Sequence, residues 1–125
     1  MDIAPQAPKI TERTFAFAVS VVRFCQKLVT KPGVNRTLGQ QLLRAGTSIG
    51  ANLEEAQAAQ SSADFISKCS ISLKEARETI YWLRLLQAAG QCENDDCRLL
   101  AQEADEISRI IGAIIVNTKT RRKDK

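Results

Sequence analysis

Histidine is absent from the 125 residues, which removes the commonest general acid–base and the commonest metal ligand. Aromatic residues make up only 5%, and there are six glycines and three prolines, too few for an all-β chain punctuated by turns or for a collagen-like one. No apolar stretch approaches the roughly 18 residues of a membrane-spanning helix. The opening MDIAPQAPKI lacks the basic-then-apolar profile of a signal peptide, so a cytoplasmic location is expected. Neither a Cys-x-x-Cys pair nor a glycine-rich phosphate loop occurs, and no Glu-x-x-His motif is present to build a di-iron bundle. What remains is 44% hydrophobic and 26% charged, the composition of one soluble domain.

The net charge of +4 is unevenly spread. Residues 1–53 hold seven Lys/Arg against Asp2 and Glu12, a net of +5, whereas residues 54–118 hold six against eleven acids, a net of −5. The end of the chain, KTRRKDK, returns to +4. A basic first half, an acidic middle and a basic tail suit contact with nucleic acid, and they equally suit complementarity between copies of the chain.

Apolar residues recur at helical spacing through four segments. The first, about Thr11 to Lys31, carries Phe15, Ala18, Val22, Cys25 and Val29 as its core seam. A second stripe on the same helix, Phe17, Val21, Phe24 and Leu28, exceeds the single apolar face that a bundle core needs and is read as an oligomer interface. After Pro32-Gly33, with Asn35 or Thr37 as cap, the second helix runs to about Gln60 with Leu38, Leu42, Ala45, Ile49, Asn52, Ala56 and Ala59 on one seam. Gly46 and Gly50 lie one turn apart beside that seam, and each weakens a helix unless a neighbour packs closely there. Ser61 with Asp64 forms a variant capping box for the third helix, whose seam is Ile66, Cys69, Leu73, Ala76, Ile80 and Leu83 before Gly90 ends it. The fourth, about Asn94 to Thr118, has Leu100, Ala104, Ile107, Ile111 and Ile114. Four helices of about 25 residues, on the order of 37 Å each and joined by short loops, predict an all-α, antiparallel up-down-up-down four-helix bundle. The organisation is a flexible leader over 1–10, the bundle over 11–118 and a basic tail over 119–125.

Candidate chemistry is sparse. Glu54-Glu55 and the pair Glu75 and Glu78 are read as solvated or paired with Arg77, Lys74 and Arg44 rather than catalytic. Cys25 and Cys69 fall on core seams and read as buried free thiols, while Cys92-x4-Cys97 is poorly spaced for zinc. No metal and no cofactor are expected. Arg23, Lys27 and Lys31 recur every fourth residue as a basic stripe, followed by Arg36 and Arg44, along which a phosphate backbone could lie. Lys119, Arg121, Arg122 and Lys123 in the tail extend the candidate nucleic-acid-binding set. Trp82, next to Ile80 and Leu83, reads as core or interface rather than as a stacking platform.

The run from Arg44 to Leu86 carries Ser48-Ile49 with Asn52 and then Glu54-Glu55, a helix start at Ser61 or Ser62 with Asp64 and Phe65, and the segment KEARETIYWL from Lys74 to Leu83. In these motifs the chain resembles the small bacterial four-helix bundle family named after proteins encoded in 23S rRNA intervening sequences. The resemblance extends over roughly Thr11 to Thr118. It is also similar to a relative of that family, the accessory variability determinant of diversity-generating retroelements, a ring of five bundles with a basic surface that binds nucleic acid and a reverse transcriptase. The resemblance implies a homo-oligomer, a pentamer by that analogy, with RNA or DNA and a reverse transcriptase or other protein as partners. Asn52, on an otherwise apolar seam, is expected to set register through a buried hydrogen bond. The expected function is a non-enzymatic, nucleic-acid-associated accessory protein with no membrane contact; the alternative is a protein-interaction scaffold that does not itself touch nucleic acid.

Overall fold

A computed structural model describes residues 9–30, 32–92 and 95–123. Four helices follow in order: α1 Ile10–Val29, α2 Val34–Gln57, α3 Ser62–Ala88 and α4 Asp96–Lys123. Each packs on its neighbours in sequence, and α1 closes the ring against α4 through the thinnest of the four interfaces. Residue pairings run in opposite directions between α1 and α2 and between α2 and α3. On α1 and α2, Thr14 meets Gly50, Val21 meets Gly46 and Leu28 meets Gly39. Between α2 and α3, Ile49 meets Ser72 and Arg44 meets Glu75 and Glu78. Arg13 of α1 reaches Glu103 and Glu106 of α4. The molecule is the antiparallel up-down-up-down four-helix bundle that the periodicity predicts.

Local chemistry sets the helix boundaries. The Ser61 hydroxyl accepts from the Asp64 N–H at 3.1 Å, and the Asp64 carboxylate reaches back to the Gln60 N–H at 3.3 Å, so the predicted capping box is closed one residue further out than its usual form. At the other end of α3, Gly90 has φ +72°. The Gln91 N–H bonds to the Leu86 carbonyl and the Gly90 N–H to the Gln87 carbonyl, the paired bonds of a Schellman stop. The start of α2 corrects the sequence reading. Gly33, at φ +91°, occupies the cap position without a side-chain bond, and Asn35 lies inside the helix with a buried Oδ1 that has no hydrogen-bond partner among the described residues.

The core also corrects the assignment of faces on α1. Phe17, Val21, Cys25 and Leu28 are buried within the chain, whereas Phe15 is 68% exposed and Val22 38%. The stripe read as an oligomer interface is therefore the true core stripe, apart from Phe24, which is half-buried against that core. The glycines of α2 explain the choice. A Cβ on Gly46 would stand 2.8 Å and 2.9 Å from the two Val21 methyl groups, so α1 is drawn onto the glycine face of α2 and the residues on that side of α1 become interior. From α2, Leu42, Ala45, Ile49, Leu53 and Ala56 enter the core, from α3 Cys69, Ala76, Leu83 and Leu86, and from α4 Cys97, Ala104, Ile107, Ile111 and Ile115. The buried bond that crosses between helices is not made by Asn52, whose amide donates to Ser48 O of its own helix at 2.8 Å. Ser72 makes it instead, donating to the Ile49 carbonyl at 2.8 Å.

Candidate nucleic-acid interface

The antiparallel order places the α1–α2 turn, the end of α3 and the start of α4 at one end of the bundle, and the last turns of α4 at the other. Arg23 and Lys27, one turn apart on α1, are exposed at the first end, and among the described residues neither is in an ion pair. Arg36, at the start of α2, is exposed there too and donates from Nε to the Val29 carbonyl at 3.3 Å. A cation at the C-terminus of α1 is favourably placed against the helix dipole. Lys31 lies outside the described residues.

Arg44, the remaining cation of the predicted stripe, is in ion pairs. Its guanidinium donates to Glu78 and, at 3.3 Å, to Glu75, both on α3. The bond from Arg44 is the main reason that Glu78 is held below its ordinary carboxylate value. Arg44 thus differs from Arg23 and Lys27 in that its charge is already met by two carboxylates of the same chain. Arg13 is committed in the same way, bidentate to Glu103 at 2.8 Å and 2.7 Å with a further bond to Glu106 at 2.8 Å. These pairs tie the basic first half of the chain to its acidic second half, a use of the charge asymmetry internal to one molecule. Trp82 is half-buried against the core, its Nε1–H donating to Glu78 at 3.2 Å.

The tail is not separate from the bundle. α4 continues to Lys123, so Lys119, Arg121 and Arg122 project from a helix and are exposed; the Lys123 side chain lies outside the described residues. Arg121 and Arg122 share a concavity of about 300 Å³ with Ser62, Phe65 and Thr118. A helix of 28 residues is about 42 Å long at 1.5 Å per residue, so the two basic regions face opposite ends of the molecule.

Two concavities flank α1. One, of about 300 Å³, is lined by Ser20, Arg23, Phe24, Lys27, Asp96, Leu99 and Leu100; sequence reasoning misses it because Leu99 lies off the predicted α4 seam and is 53% exposed. The other, of about 250 Å³, lies between α1 and α2 and is lined by Thr11, Phe15, Ala18, Thr47, Gly50, Ala51 and Glu54. Among the described residues no group of three His, Cys, Asp or Glu side chains is placed to hold a metal ion, and no helix is long and apolar enough to cross a membrane. Cys25, Cys69 and Cys97 are buried thiols, and the half-buried Cys92 sulfur accepts from the Cys97 N–H at 3.3 Å.

Comparison with known proteins adds to this geometry. The sequence model of the family described as 23S rRNA-intervening sequence protein matches residues 7–113, which leaves the basic end of α4 outside the match. A crystal structure of a protein of unknown function from the S23 ribosomal protein family of Bacteroides thetaiotaomicron is similar at 39% identity and a TM-score of 0.79, over 86% of this chain and 98% of that one. No curated protein matches.

Proposed function

The chain belongs to the 23S rRNA-intervening sequence protein family, and from that membership we propose that it is a non-enzymatic, cytoplasmic accessory protein that associates with nucleic acid as a homo-oligomer. The observation that carries the reading is the division of labour among the cations. Arg13 and Arg44 are spent on carboxylates of the same chain, while Arg23, Lys27 and Arg36 stand exposed at one end. Cations left without carboxylate partners are those that release counterions when they meet a phosphate backbone. Fluorescence anisotropy with a structured RNA across a salt titration tests this. Arg23→Glu with Lys27→Glu should weaken binding by about tenfold or more at low salt, and Arg44→Gln should leave it unchanged. Equal affinity of the charge-reversed variant and the parent overturns the reading.

The exposed apolar residues of α1 support the assembly. Phe15 and Val22 face outward, and Phe15 lines the concavity with Ala18, Gly50 and Ala51. This face, rather than the Phe17–Leu28 stripe, is the one a second copy would cover, in a pentamer if the family analogy holds. Light scattering on Phe15→Glu with Val22→Glu should report monomers where the parent is an oligomer; an unchanged mass removes this interface. The same groove supports the second reading, a scaffold that recruits a protein such as a reverse transcriptase, which requires the purified chain to ignore nucleic acid.

A further inference from the structure

The concavity between α1 and the first turn of α4 combines two chemistries that a bare phosphate track does not need. Its apolar part is Phe24, Leu99 and Leu100, and Leu99 stays 53% exposed although it borders a hydrophobic recess. Its basic edge is Arg23 and Lys27, at i and i+4 on α1, a spacing that sets their Cβ atoms about 5–6 Å apart. Asp96, at the start of α4, also lines the recess. At about 300 Å³ the recess is at the small end of ligand pockets, enough for one flat heterocycle and too little for a folded partner.

We propose that this recess takes one unpaired base of a single-stranded nucleic acid, with Arg23 and Lys27 holding the phosphates that flank it. The inference rests on the nucleic-acid reading above and adds a selectivity to it. In a duplex the bases are stacked and paired, so none reaches a recess on the flank of a helix bundle without being extruded. In a single strand a base swings out freely, and its apolar faces gain from contact with Phe24 and Leu99 whatever its identity. The phosphate contacts are common to both polymers; the base contact belongs to the single strand alone.

The test compares an oligouridylate with an RNA duplex of equal phosphate number, at matched salt, by fluorescence anisotropy. The parent protein should bind the single strand at least about fivefold more tightly, the lower end of what one stacked base contributes. Leu99→Asn should bring the single strand down to the duplex level without changing the slope of affinity against salt, and Leu99→Met should keep the preference. Arg23→Gln with Lys27→Gln should weaken both polymers and flatten the slope. A parent protein that binds both polymers equally, or a preference that survives Leu99→Asn in a variant with an unaltered helical melt, overturns the base recess and leaves the nucleic-acid reading standing. Absence of salt-sensitive binding to either polymer overturns both.

Discussion

Substitutions at Gly46 and Gly112 test how closely α1 rides on α2. Both glycines lie within helices, but a Cβ at Gly46 meets two methyl groups of Val21 within 3 Å while one at Gly112 meets nothing within 4 Å. Gly46→Ala should destabilise the bundle by about 1–3 kcal/mol through overpacking, and Gly112→Ala should stabilise it by about 0.5–1 kcal/mol by restricting the unfolded chain. Chemical denaturation of the two variants checks both signs. The close approach at Gly46 was legible in the glycine spacing; its partner was not, because the spacing names no neighbour. Buried hydroxyls were also hidden. Thr14 and Thr79 look like surface residues in a periodicity count, yet each is fully buried and donates to a carbonyl of its own helix, Thr11 O at 3.2 Å and Glu75 O at 2.7 Å. The thiols give a second test at this scale. Burial pushes the Cys25 thiol up to about 11 and raises Cys69 and Cys97 as well. Native protein at pH 8 should therefore label slowly at these three positions and rapidly after unfolding, measured by thiol titration.

Among the elements, α1 shows where pattern reasoning stops. Its two apolar stripes follow the same 3–4 spacing, so the hydrophobic count cannot rank them. The choice is made by partners distant in sequence, Gly46 and Gly50 on α2 and the carboxylates on α4 that hold Arg13. By contrast the ends of α3, with a side-chain cap at Ser61 and a left-handed Gly90 stop, were legible almost to the residue because both signals are local, although Ile66, Leu73 and Ile80 of its predicted seam are only half-buried while Ser72, Thr79 and Leu86 are buried. The basic set was legible as residue types but not as free charge, since the sequence does not say which cations meet Glu75, Glu78 or Glu103. Those pairs have a pH signature. Bonds from Arg13 and Arg44 hold Glu103 and Glu78 below their ordinary value of 4.5. A carboxylate whose folded value is depressed adds stability that is present above its unfolded value and lost as pH falls through the folded one. The arginines stay charged throughout and contribute no slope. The parent should lose stability on acidification from about pH 4.5 downward, and Arg13→Gln with Arg44→Gln should flatten that limb, as thermal melts in a pH series would show.

For the molecule as a whole, the exposed cations Arg23, Lys27 and Arg36 lie toward one end and Arg121 and Arg122 at the other, while the ion pairs of Arg13 and Arg44 tie neighbouring helices together between them. The total of +4 conceals this, and it became visible only once the helices were placed antiparallel. The same arrangement bears on the order in which the bundle assembles. Three of the four interfaces join helices that are consecutive in the chain, but the thin α1–α4 seam pairs Arg13 with Glu103 across 90 positions. Closing that seam costs the most chain entropy and returns the least packing, so it belongs after the rate-limiting barrier. Arg13→Gln should leave the refolding limb of a chevron in place and speed the unfolding limb, a φ-value near zero. A lowered refolding rate would instead place the ring closure within the nucleus, and the native half-life of the bundle would then be set elsewhere than at its weakest seam.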